Sequence, residues 1–129
     1  MRALIVDDSP VMRKVVERAL RHAGLELYEV LQAGNGTEAL EVLRNSEPPD
    51  LIISDINMPG MDGLQFLEQR RNEGLAPGVP VFMITTESSA PLVLRAIAAG
   101  ARGYICKPFT PDQIRARVVP LLIRSLASA

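Results

Sequence analysis

Cysteine is nearly missing from this chain: Cys106 is the only one in 129 residues, which rules out an internal disulfide and suits a reducing compartment. Long apolar runs are missing too. None approaches the length needed to cross a bilayer, and the apolar stretch in the opening MRALIVDDSP is far too short for a signal peptide. A cytoplasmic protein with no membrane partner is the expectation. Neither sign of charge dominates: 14 Lys and Arg against 15 Asp and Glu leave a net charge of −1. Without a basic stripe or a Lys/Arg block, the electrostatic case for nucleic acid or anionic lipid disappears. Repeats and low-complexity tracts are also lacking, so residues 1–129 are expected to form one domain. What remains is an ordinary globular composition, 47% hydrophobic and 22% charged, on a chain long enough to bury a core.

Short apolar runs alternate with helical patterns throughout. ALIV (3–6), LYEVL (27–31), LIIS (51–54), VFMIT (81–85) and GYIC (103–106) are the strand candidates. Most show no in/out alternation, as expected of a parallel sheet covered on both faces. Between them, Val11, Met12, Val15, Val16, Ala19, Leu20 and Ala23 recur at helical spacing. That helix has Ser9 as N-cap and Pro10 at its first position, and it stops at Gly24. Further helices are predicted over about 37–45, 63–73, 89–99 and 111–127. EGLAPGVP (73–80) is a loop rather than a linker, because the alternation resumes directly after it. Five strands alternating with five helices imply a doubly wound α/β sheet with right-handed crossovers. Two strand orders are common for that class, and both put ligands outside the carboxyl ends of the strands.

Chemistry is therefore sought just after each strand. Asp7 and Asp8 follow the first, and the third ends on Asp55. The fourth ends in Thr85 and Thr86 with Glu87 next, and the fifth precedes Lys107-Pro108. Three carboxylates, a hydroxyl pair and one ammonium group thus converge on one edge of the sheet. Like charges that close disfavour one another's ionisation unless a cation compensates. An oxygen-only donor set, with no His or Cys, points to a hard metal; Mg²⁺ suits it because it takes one or two carboxylates and completes its shell with water and phosphate oxygens.

VDDS (6–9), SDINMPGMDG (54–63), TTE (85–87) and GYICKPF (103–109) together resemble the receiver domain of two-component response regulators, above all the stand-alone chemotaxis type. The resemblance spans essentially the whole chain. It implies the flavodoxin-like strand order 2-1-3-4-5. It also implies that Asp55 is the phosphoacceptor, taking a phosphoryl group from a sensor histidine kinase. Both reacting groups are anionic, so the barrier is met by positioning and counter-charge. By resemblance, Mg²⁺ is held by Asp8, Asp55 and the backbone carbonyl of Asn57, with Asp7 assisting, and Lys107 pairs with Asp55 or its phosphate. Thr85 corresponds to the switch hydroxyl, Tyr104 to the aromatic that rotates inward behind it, and Asn57 with Glu87 to the pair that tunes autodephosphorylation. A cis Lys107–Pro108 bond is implied as well. The output surface would be the fourth helix, fifth strand and fifth helix, presented to a downstream protein. The domain is then a switch rather than an enzyme with turnover on a foreign substrate.

Two departures stand out. Pro120 falls in the middle of the last predicted helix and removes its bond to the carbonyl of Ala116, so a kink or break is expected there. The fourth helix carries Leu92, Val93 and Leu94 in succession, and at least one should face solvent. His22 reads as a solvated surface residue, Cys106 as a small buried one, and Met12, Met58, Met61 and Met83 as core or loop packing. No effector domain follows, so output passes by protein contact, or the chain belongs to a phosphorelay or a larger regulator. A Mg²⁺-dependent phosphohydrolase of the haloacid dehalogenase type also uses a strand-end aspartate, but it needs a second acid two positions on, where Asn57 stands. A flavodoxin-like electron carrier would need a phosphate cradle in the first loop, where Asp7-Asp8 would repel one.

Overall fold

The computed structural model describes residues 1–86 and 89–127. Its elements run β1 (Arg2–Val6), α1 (Pro10–His22), β2 (Glu29–Ala33), α2 (Gly36–Asn45), β3 (Leu51–Asp55), α3 (Gly63–Glu73), β4 (Val81–Thr85), α4 (Ala90–Ala98), β5 (Gly103–Cys106), α5 (Pro111–Arg117) and α6 (Val119–Ala127). All strands are parallel, in the order β2-β1-β3-β4-β5. This is the doubly wound sheet the resemblance implied.

Alternate residues of each strand feed two separate cores. Leu4, Val6, Ile52, Val81 and Met83 pack with α2, α3 and α4 on one side, around Phe66 and Leu67. Ala3, Ile5, Leu51, Ile53, Phe82 and Ile84 pack with α1, α5 and α6 on the other, around Val16, Leu20, Ile114 and Leu122. The three inner strands are buried at every apolar position, which is why their sequences show no alternation.

Local signals behave as their chemistry requires. Ser9 caps α1, its hydroxyl accepting from the Met12 amide at 3.2 Å, and Pro10 opens the helix. Asp62 caps α3 in a reciprocal box with Gln65. Pro120 splits the last helix into α5 and α6 at Val118, as its missing N–H demands.

Three expectations are corrected. β2 lies at Glu29–Ala33 rather than 27–31. Leu27 is buried but precedes the strand, whereas pairing of Arg2 with Glu29 through Val6 with Ala33 sets the true register. Apolar character followed burial, and the edge strand follows its hydrogen bonds. Val11 and Val15, assigned to the inner face of α1, are 73% and 45% exposed. Cys106 is only half-buried. Among the Leu92–Leu94 run, Leu94 is the residue turned to solvent, at 66% exposure.

Candidate functional site

The carboxyl ends of β1, β3 and β5 meet. β1 stops at Val6 because the chain must leave the sheet: the Asp7 amide still donates to Ala33 at 3.0 Å, and Ser9 then starts α1. That turn carries Asp7, 3% exposed, and Asp8, which is exposed. β3 ends on Asp55, 8% exposed and lying beside Ile84 of β4. Carboxylate oxygens of Asp7, Asp8 and Asp55 all lie within 4.8 Å of one another.

Lys107 reaches the same point from the end of β5. Its Nζ donates to Oδ2 of Asp55 at 3.2 Å and to Oδ2 of Asp7 at 3.4 Å. The other oxygens of these two carboxylates are also held: Asp55 Oδ1 accepts from the Ile56 amide at 2.8 Å, and Asp7 Oδ1 from the Ser9 amide at 2.9 Å. Burial pushes the Asp7 carboxyl above its ordinary value, and the Asp55 charge adds to that. The Ser9 amide and Lys107 pull the other way without winning. The cluster carries more negative than positive charge in a partly desolvated place, and its donors are all oxygens. It fits a hard divalent cation, and these three side chains could hold one.

The other predicted residues are arranged around this group. Thr85 is fully buried at the end of β4, and its carbonyl accepts from the Lys107 amide at 2.8 Å. Tyr104 lies on β5 opposite Met83, half-buried, outside the carboxylate cluster. The Arg117 guanidinium sits 5.7 Å from the centre of its ring. Asn57 is exposed, two residues past the end of β3. Lys107–Pro108 is cis. Glu87 lies outside the described residues.

Sequence reading overlooked two residues here. Arg13 donates through Nη1 to the carbonyl of Asp7 at 2.6 Å. Nothing in a sequence flags a bond to a main-chain oxygen, although four residues past an N-cap is the right distance to reach back. Gly63 was read within the SDINMPGMDG stretch and as the start of a helix, with no contact to β3 foreseen. In fact its amide donates to Ile56 at 2.8 Å, and a Cβ there would lie 2.1 Å from the carbonyl oxygen of Asp55. The loop that follows β3 closes against that strand's own backbone, and only glycine permits the approach.

Comparison with known proteins agrees with this geometry. The response regulator receiver domain family matches residues 3–119. A chemotaxis protein CheY homolog of Campylobacter jejuni is 37% identical over 122 residues, covering 95% of this chain and 92% of that protein. The solved structure of chemotaxis protein CheY4 of Vibrio cholerae is 37% identical, with a TM-score of 0.77 over 96% of this chain and 97% of its own. A CheY-like receiver domain of Methanospirillum hungatei superposes with a TM-score of 0.84 at 29% identity, covering 99% and 98% of the two chains. With five strands in the expected order and the acidic cluster at their carboxyl edge, the chain belongs to the response regulator receiver domain family.

Proposed function

We propose that this receiver domain accepts a phosphoryl group on Asp55 from a sensor histidine kinase and then changes its affinity for a downstream protein, in chemotaxis-like signalling. The observation that carries the reading is the meeting of Asp7, Asp8 and Asp55 oxygens within 4.8 Å, with the Lys107 ammonium 3.2 Å from Asp55. A carboxylate oxygen of Asp55 forms a bond to phosphorus as the P–N bond of the donor's phosphohistidine breaks, its electron pair returning to the ring nitrogen. Lys107 stays paired with the acceptor and offsets the charge that develops on the transferring oxygens. Asp7, Asp8, Asp55 and the Asn57 carbonyl are the residues that would hold Mg²⁺, which supplies further positive charge to the phosphoryl oxygens when bound.

The aspartyl phosphate carries about −1.5 to −2 charges where the ionised carboxylate carried −1, and it brings three acceptor oxygens. Thr85, at the end of the neighbouring strand, supplies the hydroxyl that answers it. Tyr104 follows inward, and the α4–β5–α5 surface changes shape, a population shift in a two-state face. Leu94 and Ile97, 66% and 49% exposed on α4, give that face an apolar patch for a protein partner. Asn57 and Glu87 tune how long the phosphoryl group survives. Among the described residues no helix is long and apolar enough to cross a membrane, which agrees with a cytoplasmic site of action.

The test is incubation with acetyl phosphate and Mg²⁺, followed by intact mass measurement. Wild type gains one phosphoryl mass, and Asp55→Ala gains none. Equal uptake by both proteins, or none by wild type, overturns the assignment.

A further inference from the structure

Arg13 touches none of the carboxylate oxygens of the cluster, yet it is bound to the backbone that carries two of them. Standing in the first turns of α1, it donates through Nη1 to the Asp7 carbonyl at 2.6 Å and through Nε to Oε1 of Gln32 on β2 at 2.9 Å. The guanidinium is planar and its donors are fixed relative to one another, so two acceptors on different elements leave it little freedom. The Asp7 side of the turn is thereby held at four places: its amide by Ala33, its Oδ1 by the Ser9 amide, its Oδ2 by Lys107, and its carbonyl oxygen by Arg13.

Asp8 is different. Among the described residues its exposed carboxylate accepts no hydrogen bond, although it contributes an oxygen to the cluster. Its place is set by the backbone from which it hangs. The peptide joining Asp7 to Asp8 is rigid, so whatever orients the Asp7 carbonyl orients the Asp8 amide with it. Arg13 is the side chain bonded to that carbonyl.

We infer that Arg13 is a positioning residue of the cation site: its guanidinium fixes the Asp7–Asp8 peptide, and through it the Asp8 carboxylate, without touching the cation. The inference rests on the reading that this cluster binds a divalent cation. It has a signature that separates it from plain electrostatics. A permanent positive charge beside a cation site repels the ion, so on charge alone removing Arg13 strengthens binding. As a positioning residue its removal weakens binding, by about 10- to 100-fold, as for other residues that orient metal ligands.

The experiment is Mg²⁺ titration at constant ionic strength of the full chain, following backbone amide resonances, for wild type, Arg13→Met, Arg13→Lys and Gln32→Met. Arg13→Met is expected to bind about tenfold or more weakly, and to move the Asp8 amide resonance before any metal is added. Arg13→Lys keeps the charge but reaches only one of the two acceptors, so it falls between wild type and Arg13→Met. Gln32→Met frees the far end of the guanidinium and weakens binding in the same direction. Thermal melts ensure that every titration is run on folded protein. If Arg13→Met does not fold, Arg13→Lys and Gln32→Met carry the test. Binding that is unchanged or tighter in the variants, or an Asp8 amide that does not move, overturns the inference while leaving the metal reading intact. A wild type whose Asp8 and Asp55 resonances ignore Mg²⁺ overturns both.

Discussion

Replacing Gly63 with alanine tests how tightly β3 and the following loop are joined. The added methyl carbon would lie 2.1 Å from the Asp55 carbonyl oxygen, 2.9 Å from the Cα of Ile56 and 2.8 Å from the Met83 terminal methyl. An unstrained carbon–oxygen contact needs about 3.3 Å, so something must move by about 1 Å. Met83 can turn its end away, but the other two neighbours are backbone of β3 and its continuation. Overpacking of this kind costs about 1–3 kcal/mol, and with backbone as the obstacle the upper figure applies. At about 2.1 cal/mol/K of unfolding entropy per residue, 3 kcal/mol lowers the melting temperature by about 11 °C. Gly60→Ala is the control: Gly60 has φ +74° but nothing within 4 Å, so only left-handed strain of about 1 kcal/mol is incurred, about 4 °C. Circular dichroism melts rank the two. Because the displaced atom belongs to Asp55, phosphoryl uptake from acetyl phosphate should also slow in Gly63→Ala by about tenfold or more. A Gly63→Ala protein that melts as high as Gly60→Ala, or that accepts phosphoryl at the wild-type rate, refutes the reasoning.

Other outcomes follow from the same geometry. Burial holds the Asp7 carboxyl above its ordinary range, so the native protein binds that proton more tightly than the unfolded chain does. Asp7 therefore favours the metal-free fold at low pH, and that contribution is lost as the pH rises through the raised native value. Mg²⁺ needs the ionised form, so its stabilisation runs the other way, reaching about 2.7 kcal/mol at a hundredfold excess over Kd near neutrality and shrinking in acid. Melts with and without Mg²⁺ at about pH 5 and about pH 7.5 check this, and an equal shift at both refutes it. Pro120→Ala restores an amide able to reach the Ala116 carbonyl, so α5 and α6 should join across Val118 and ellipticity at 222 nm should rise. Stability should change by less than about 1 kcal/mol, because the proline also stiffened the unfolded chain.

How much of this could be read in advance depended on where each contact is made. Asp55 and Lys107 were legible because a buried run such as LIIS or GYIC must end somewhere, and parallel strands end on the same edge. Ser9-Pro10 and Pro120 were legible because their effects are local: a cap, a first helical position, a missing N–H. β2 was misplaced by two residues because its bounds are set by pairing with β1 at a distance, while Leu27, although buried, lies before the strand. Val11 and Val15 were assigned to the core since an apolar stripe looks the same whether covered or bare. Arg13 and the backbone contact at Gly63 stayed hidden for a shared reason. Each acts on main-chain oxygen of another segment, and that leaves no residue pattern to detect.

The charges at the sheet's edge explain why such a site is suited to switching. Three carboxylates facing one ammonium leave a formal excess of two negative charges when all are ionised. Lys107 divides itself between Asp55 and Asp7 at 3.2 and 3.4 Å, longer than the roughly 2.7–2.9 Å of a strong charge-assisted bond, so it satisfies neither fully. A dication would restore balance, and on the proposed reading an aspartyl phosphate, at about −1.5 to −2 charges in place of the carboxylate's −1, would upset it again. Among the described residues the cluster has no second ammonium to answer that change. On that reading relief would come from a donor on a neighbouring element, and the end of β4, whose Thr85 carbonyl accepts from the Lys107 amide, is joined directly to the site. On the proposed reading, that shortage of positive charge at the carboxyl edge is the physical reason a local group transfer would be felt at the strand beside it.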